Sequence, residues 1–333
     1  MDDPYEWLRA KDDTEVVAHL EAENRYTESR TAHLAPVQER IFEEIKGRVL
    51  ETDLSVPTRR GAWWYYARTE EGKQYGIQCR APIGSPDDWT PPALEPGEPV
   101  VGEQILLDGN LEADGQEFFS LGTFEVSTDG RLLLYGVDVE GDERYTLRVR
   151  DLDTDETLPD VIEGTFAGAT LSPDGRHIVY TTVDDAWRPD TVWLHEIGAD
   201  AASDRRLFHE PDERFWVDAG FTRSDRFLVI GLGSSITSEE WLVPADDLTA
   251  QPRVVWPRRE GVEYDSSHAV VDGEDVLYVL HNDGALDFEL VRVAASDPAG
   301  PRTAVLPHEP GRRLLGVSTF RDWAVVGYRR DGL

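Results

Sequence analysis

The chain has 333 residues, with 66 Asp and Glu against 33 Lys and Arg, which gives a formal net charge of −33. This charge repels phosphate groups, so the composition excludes a nucleic-acid-binding protein and argues against docking on anionic membranes. Hydrophobic residues make up 40% of the chain and include 10 Trp, 11 Tyr and 11 Phe, which is enough for a large core and excludes wholesale disorder.

The cysteine content and the N-terminus predict a cytoplasmic protein. Cys79 is the only cysteine, so no intramolecular disulfide can form and the chain suits a reducing compartment. No apolar stretch follows Met1, and the apolar runs elsewhere, such as residues 276–280, are far shorter than the about 20 residues of a spanning helix. The excess of acid, with Arg in place of Lys, suits a high-salt cytosol, and an acid-biased, GC-rich genome is the alternative explanation.

Residues 1–55 are predicted to form a helical arm. Asp13 or Thr14 can cap a first helix, and Pro36 is a favourable first-turn residue for a second one. The second helix carries an apolar stripe at four-residue spacing, formed by Val37, Ile41, Ile45 and Val49. Stripes of this kind are usually core contacts, and we expect the same here.

From Val56 onward the pattern changes to short strands rich in β-branched and aromatic residues. The clearest are residues 63–66, 132–135, 177–180, 227–230, 276–279 and 323–326. Each follows a polar turn, and the Asp-Gly pairs at 129–130 and 174–175 are strong hairpin signals because both turn positions tolerate a positive φ. Residues 56–333 are therefore predicted to be β-structure.

These strand units recur at a regular interval. Equivalent turn residues are 45 to 50 positions apart, namely Arg131, Arg176, Arg226, Asp275 and Asp322. A Pro-, Gly- and acid-rich insertion at residues 83–104 lengthens the interval before the first of them. Such a period, with several strands in each unit and no helix, is typical of β-propeller blades. A plain β-sandwich is the alternative, but it gives no reason for a sustained period.

The number of units predicts an incomplete propeller. About five full blades fit into the chain, with part of a sixth that begins near Arg313. A propeller left open exposes strand edges, and these edges can promote self-association. Residues 329–333 look like a hairpin cut at its turn, so the chain is expected to be part of a longer protein.

Short motifs along the whole chain point to one family. In order, they are residues 3–9 (DPYEWLR), 20–24 (LEAEN), 56–57, 64–66, 71–75, 106–110, 117–122, 144–145, 148–152, 237–239 and 320–323. Each motif is weak alone, but as a set they resemble oligopeptidase B, a serine peptidase of the prolyl oligopeptidase family.

The resemblance implies a propeller of the seven-bladed type and a peptidase activity for the complete enzyme. The arm of residues 1–55 would pack on an α/β-hydrolase domain that lies outside this chain, and residues 56–333 would form the incomplete propeller. The complete enzyme would cleave short basic peptides after Lys or Arg. The propeller would cover the active site, and movement between the two domains would gate entry.

A serine nucleophile is not apparent in the sequence. Acyl transfer on an α/β-hydrolase fold needs a Ser on a tight turn with flanking glycines, Gly-x-Ser-x-Gly. Ser318 follows Gly316 but lacks the second glycine, and Ser172 and Ser234 fail the same test. We therefore expect no catalytic residue in this chain, a catalytic triad beyond Leu333, and no activity from the chain alone.

No metal or cofactor site is predicted. A single cysteine excludes thiolate zinc clusters, and the eight His residues form no His-Glu-x-x-His motif. Residues 231–236 are predicted to be a loop rather than a dinucleotide site, and residues 108–112 a solvated turn rather than a calcium loop. Cys79 is predicted to be a packed core thiol.

Glu117 and Arg144 are the two candidate functional residues. The resemblance implies that these positions take part in ion pairs across the domain interface or hinge. Partly exposed ion pairs contribute little free energy, so they allow open and closed domain arrangements to stay near balance. An ordinary surface charge is the alternative interpretation of both residues.

Two functional hypotheses remain. The first is the arm and gating propeller of an oligopeptidase-B-like serine peptidase, and the second is a free-standing propeller that binds partners or serves as a scaffold. An in-frame continuation with Gly-x-Ser-x-Gly after Leu333 would favour the first, and a genuine stop would favour the second. A decayed or misassigned gene is a third alternative.

Overall fold

The computed structural model describes residues 3–98 and 100–333. The polypeptide begins with helices and continues as a long series of antiparallel strands, as the sequence predicts. Within the described ranges, no helix combines the length and the apolar character needed to cross a membrane.

Two helices form the N-terminal part. Helix α1 spans Thr14–Thr31, and the Asp13 carboxylate caps it by accepting a hydrogen bond from a first-turn N–H at 2.8 Å. Helix α2 spans Ala35–Lys46 and has Pro36 in its first turn, where a missing N–H costs nothing. Short 3₁₀ segments occur at Glu6–Arg9 and Ala32–Leu34.

The apolar stripe of the second helix does not make core contacts within this chain. Its predicted members are 41% to 59% exposed, namely Val37, Ile41 and Ile45 on α2 and Val49, which lies beyond the end of this helix. Helix α2 has no buried residue, and α1 buries only Val16. The expectation of core contacts is therefore wrong for this chain, because periodicity shows which face is apolar and not what covers it.

The first sheet has four antiparallel strands in chain order. They are β1 (Thr58–Arg60), β2 (Trp63–Arg68), β3 (Ile77–Pro82) and β4 (Gln104–Asp108). Residues 83–98 and 100–103, which join β3 to β4, contain no helix or strand, in agreement with the predicted insertion. The single-turn helix α3, Gly109–Glu112, follows β4.

A sheet of eight strands comes next. Its strands are β5 (Ser120–Val126), β6 (Leu132–Asp138), β7 (Tyr145–Asp151), β8 (Glu156–Thr165), β9 (Thr170–Leu171), β10 (His177–Val183), β11 (Pro189–Glu196) and β12 (Arg205–His209). It consists of two groups of four, β5–β8 and β9–β12, joined where Thr165 pairs with Thr182. A 3₁₀ turn, Ala201–Ser203, lies between β11 and β12.

Two further four-stranded sheets and a hairpin complete the chain. The strands of the two sheets are β13 (Trp216–Phe221), β14 (Phe227–Gly233), β15 (Ser238–Pro244), β16 (Arg253–Val254), β17 (Tyr264–Val271), β18 (Glu274–His281), β19 (Glu289–Ala294) and β20 (Thr303–Leu306). The hairpin is β21 (Arg312–Thr319) and β22 (Ala324–Arg330).

The core lies between neighbouring groups of strands. Leu228 and Ile230 of β14 pack with Val179 and Val192 of the preceding group, and each is at most 1% exposed. Burial of such a side chain contributes about 1.5–3 kcal/mol. First strands of successive groups also lie side by side, since β5 contacts β9, β9 contacts β13, and β17 contacts β21. These first strands therefore form the inner wall of the arrangement.

The Asp-Gly hairpin turns share one hydrogen-bond pattern. The Ser127 hydroxyl donates to Asp129 at 2.6 Å and accepts from the Leu132 N–H at 2.9 Å, and residues 172–177 repeat this arrangement. The predicted hairpin turns are present, and within each pair only the glycine has a positive φ, for example 78° at Gly130. The Asp keeps an ordinary conformation because its carboxylate is held by these local bonds.

Candidate functional site

Glu117 and Arg144 lie on neighbouring loops at one edge of the β5–β8 group. Glu117 lies three residues before the start of β5 and is exposed, while Arg144 lies in the turn between β6 and β7. The two loops are in contact, because a Cβ atom on Gly141 would lie 3.5 Å from the Phe118 ring. The structure thus brings both predicted residues to the same edge, but it does not join them in an ion pair.

Arg144 lies in a turn that is fixed by hydrogen bonds, and its guanidinium group makes only weak interactions. Its guanidinium carbon lies 4.5 Å from the centre of the Trp187 ring, and a guanidinium nitrogen lies 3.8 Å from the Asp142 carboxylate. The Asp138 carboxylate fixes the turn by accepting three backbone N–H bonds, from Glu140, Gly141 and Glu143. Burial of Asp138 opposes its ionisation, but these bonds outweigh burial and lower its pKa.

On the opposite edge, a serine, a histidine and an aspartate form one hydrogen-bonded chain. The Ser224 hydroxyl lies 2.7 Å from His268 Nδ1, and His268 Nε2 lies 3.1 Å from Asp275. Burial of His268 lowers its pKa. The nearby Asp275 carboxylate acts in the opposite direction but does not outweigh burial, so the ring is neutral near pH 7. Sequence analysis missed this cluster because Ser224 and His268 come from hairpins of two different sheets.

This cluster lacks other features of a nucleophile site. Ser224 lies in a β-hairpin turn and not on a strand-to-helix turn, and Thr222 and Arg226, two residues to either side, stand where the Gly-x-Ser-x-Gly motif has glycines. Asp275 is 42% exposed, whereas the acid of an acyl-transfer triad is buried. We therefore interpret the chain of bonds as a structural link between two hairpins.

The three serines considered from the sequence also have structural roles. Ser172 donates to Asp174 and accepts two backbone N–H bonds. Ser234 donates to the carbonyl of Thr237, and Ser318 lies within β21 opposite Val325. None of these three is hydrogen-bonded to a histidine in the ranges that the structure describes.

Two carboxylates share one row on the sheet of β13–β16. Asp218 of β13 and Glu240 of β15 both pair with Gly231 of β14, which lies between them. A Cβ atom on Gly231 would lie only 2.2 Å from Asp218 Oδ1, so the row requires glycine at this position. The predicted loop at residues 231–236 is therefore wrong for 231–233, which form the end of β14.

Glu240 connects this sheet to the next one. Its carboxylate accepts hydrogen bonds from the Ser266 N–H at 3.1 Å and from the Ser266 hydroxyl at 2.5 Å. Burial raises the pKa of Glu240 to about 8, because it outweighs these two bonds and is reinforced by the nearby Asp265 and Asp218 charges. The group is therefore largely protonated at neutral pH.

A second buried polar network joins the groups β5–β8 and β9–β12. His195 of β11 is fully buried, with Nε2 at 3.0 Å from Asp160 of β8 and Nδ1 at 2.6 Å from Asp204. The Tyr180 hydroxyl donates to Asp204 at 2.7 Å, and the Gly198 N–H donates to Asp160. Both ring nitrogens of His195 thus lie within hydrogen-bond distance of a buried carboxyl group.

The remaining predicted positions have ordinary structural roles. Cys79 is 1% exposed, and burial raises the pKa of its thiol to about 12, so it is a packed core thiol as predicted. Residues 108–112 form a capped helical turn, and the Asn110 side chain anchors it to the backbone of Tyr75, so it is less solvated than expected. In residues 3–98 and 100–333, no group of three or more His, Cys, Asp or Glu side chains could hold a metal ion.

Groups of four antiparallel strands, packed face to face around their first strands, define a β-propeller-type domain. A sequence model of the family described as "Prolyl oligopeptidase, N-terminal beta-propeller domain" matches residues 1–333. The chain therefore belongs to the prolyl oligopeptidase family, in which it corresponds to the N-terminal propeller domain.

The most similar relatives include peptidases of about twice this length. Dipeptidyl aminopeptidase BI of Pseudoxanthomonas mexicana is 35% identical over 99% of this chain and 46% of its own length. Protease 2 of Moraxella lacunata is 32% identical over 100% of this chain and 46% of its own length. The chain thus spans about half the length of the curated relatives it matches.

Solved structures identify the same part of the same family. Oligopeptidase B from Trypanosoma brucei, in a closed form with covalently bound antipain, matches with a TM-score of 0.88 and 33% identity over 99% of this chain and 45% of that one. Oligopeptidase B from Leishmania major matches with a TM-score of 0.90 and 28% identity, over 100% of this chain and 45% of that one. The resemblance to oligopeptidase B noted in the sequence is confirmed.

Proposed function

We propose that this chain is the helical arm and substrate-gating propeller of an oligopeptidase-B-like serine peptidase that cleaves short peptides after Lys or Arg. The observation that carries the proposal is the similarity of the whole chain to oligopeptidase B structures, one of which holds covalently bound antipain. The propeller would limit access to short peptides, and a net charge of −33 would attract basic ones. A cytoplasmic location remains a prediction from the single cysteine.

The exposed stripe of α2 supports the proposed domain division. We propose that residues 1–55 form an arm that packs on an α/β-hydrolase domain outside this chain, and that residues 56–333 form the propeller. Val37, Ile41 and Ile45 lie on one helix face that the described chain leaves uncovered. An apolar face of this size is normally covered by another element or another molecule. A second copy of the chain is the other candidate cover.

Glu117 and Arg144 are proposed to form ion pairs across the interface with that domain. Glu117 is exposed, and the exposed fractions of the Arg144 and Asp142 side chains are 42% and 41%, so the existing pair contributes little free energy. The free energy therefore differs little between the arrangement with these weak contacts and one in which they are replaced by ion pairs to another domain. Both arrangements can therefore be populated, as gating requires.

Replacing Arg144 by Ala in the longer enzyme is expected to change peptide turnover by several-fold without lowering the stability of the propeller. The reason is that the substitution changes the balance between open and closed domains and removes only a half-exposed side chain. Steady-state kinetics on several arginyl peptides would measure the effect, with the exposed Arg176→Ala on the opposite edge as the control. Unchanged turnover on all peptides would contradict the gating role.

The chain alone is expected to show no hydrolysis of an arginyl chromogenic substrate and no labelling of Ser224 by a fluorophosphonate probe. The physical reason is that the Ser224–His268–Asp275 chain is not arranged as an acyl-transfer site. Mass spectrometry of the labelled peptides would detect modification of this serine, and Ser224→Ala serves as the matched control. Turnover that persists through purification and disappears in Ser224→Ala would refute the assignment of catalysis to another domain.

A further inference from the structure

A cleft of about 560 Å³ opens on the edge that carries the hairpin turns. Three consecutive hairpins line it, namely those that follow β13, β17 and β21. Its main lining residues are Arg223, Ser224, His268, Val270, Phe320 and Arg321. The cleft therefore combines apolar surface with positive charge, in a chain whose overall charge is strongly negative.

Arg223 is the group in this cleft that is prepared to bind an anion. Its guanidinium carbon lies 4.6 Å from the centre of the Phe320 ring, and that ring is stacked on Trp323 with centroids 3.9 Å apart. No carboxylate lies within ion-pair distance of Arg223 in the described ranges. Stacking fixes the plane of a guanidinium and leaves its N–H edge free, which suits the two oxygens of a carboxylate.

The other polar groups of the cleft are already engaged. Arg321 pairs with Asp322 at 3.0 Å. The ring nitrogens of His268 are occupied by Ser224 and Asp275, and burial keeps this ring neutral near pH 7 by lowering its pKa. The available positive charge of the cleft is therefore that of Arg223.

A second cleft, of about 360 Å³, continues from the first along the inner wall. Arg223, His268 and Thr319 line both clefts, so the two are connected. At its inner part lie the carboxyl groups of Asp218 and Glu240, and in the described ranges neither has a Lys, Arg or His partner within 4.0 Å. A ligand that fills both clefts would meet a guanidinium at one end and carboxyl groups at the other.

We propose that the connected clefts bind the carboxyl end of a short peptide whose last residue is Arg or Lys. Arg223 binds the terminal carboxylate, and the basic side chain extends towards Asp218, beside which Glu240 is largely protonated at neutral pH. This inference rests on the proposed function, since cleavage after Lys or Arg releases peptides with this end. The propeller would then hold a cleavage product at the edge opposite to Glu117 and Arg144.

Calorimetric titration of this chain with three probes tests the proposal. N-acetyl-arginine carries both charges, N-acetyl-arginine amide lacks the carboxylate, and N-acetyl-norleucine lacks the cation. We expect N-acetyl-arginine to bind about tenfold more tightly than either of the others, since a hydrogen bond to a charged group contributes affinity of this order. Equal affinities for the three probes, or no binding of N-acetyl-arginine, would overturn the proposal.

Two variants assign the contacts. Arg223→Gln is expected to weaken N-acetyl-arginine about tenfold and to leave the amide unchanged, whereas Asp218→Asn is expected to remove the preference for arginine over norleucine. Arg176→Gln, an exposed arginine on a preceding hairpin turn, is the control and should bind like the wild type. If Arg223→Gln retains full affinity for N-acetyl-arginine, the carboxylate does not bind at Arg223 and the proposal is wrong.

The binding experiments test the product site independently of the proposed peptidase activity. The probes contain no scissile peptide bond after the basic residue, and their binding is measured on this chain without a catalytic domain. Hydrolysis by the longer enzyme with no binding here would refute only the product site. Binding here with no hydrolysis by the longer enzyme would refute the proposed peptidase and leave a peptide-binding propeller.

Discussion

Replacing Glu240 by Gln is expected to stabilise the folded chain by about 3–5 kcal/mol above pH 8 and to have little effect near pH 4. Burial raises the pKa of Glu240 from 4.5 to about 8, and each pKa unit corresponds to about 1.4 kcal/mol. Gln has the same shape and can still bond to both the N–H and the hydroxyl of Ser266. The variant therefore removes the cost of ionising this group and keeps its contacts.

The direction of the pH dependence follows from proton binding. Between pH 4.5 and 8 the folded chain holds a proton on Glu240 that the unfolded chain has lost. The contribution of this group to stability is thus fully present below pH 4.5 and is lost as the pH rises through 8. The charged groups that face Glu240 are Asp218 on β13 and Asp265 on β17, and both oppose its ionisation further.

Urea unfolding of the wild type and of Glu240→Gln, at a series of pH values between 4 and 9, would measure this effect. The quantity of interest is the difference in unfolding free energy between the two proteins, because the other carboxylates contribute equally to both. Glu274→Gln, at an exposed position at the start of β18, is the matched control and should show no such difference. A difference that does not grow with pH would show that Glu240 ionises freely in the folded chain.

The repeated strands could be predicted from the sequence because each unit contains its own signals. A turn such as 127–132 fixes its hairpin through hydrogen bonds among neighbouring residues. The apolar strand that follows can be predicted from a run of about five or six residues. The cap at Asp13 and the helix start near Pro36 depend on equally local chemistry. These features do not depend on how the sheets are placed relative to one another.

The candidate sites could not be predicted because they depend on register and on packing between sheets. Asp218 and Glu240 face each other only through the pairing of three strands with Gly231 in the centre, and the local sequence predicts a loop at this glycine. The contact of Arg223 with Phe320 joins hairpins almost a hundred residues apart. No local pattern carries that information.

Replacing His195 by Ala is expected to destabilise the chain by about 3–5 kcal/mol at neutral pH, which is the usual cost of removing one partner from a buried charge network. Asp160 and Asp204 would both stay buried, with side chains 2% and 3% exposed, and would lose the imidazole between them. The same network links the groups β5–β8 and β9–β12. Its loss therefore weakens the contact between two groups of strands as well as the packing within one.

Urea unfolding monitored by tryptophan fluorescence would measure the loss, and the exposed His33→Ala on the N-terminal arm is the control. Adding Asp160→Asn and Asp204→Asn to His195→Ala separates charge from volume, because the triple variant keeps the cavity and removes the unbalanced carboxylates. If the network acts through charge, the triple variant is more stable than His195→Ala alone, since neutral amides are less costly to bury than carboxylates. Equal stability of the two variants would show that His195 acts mainly by filling space.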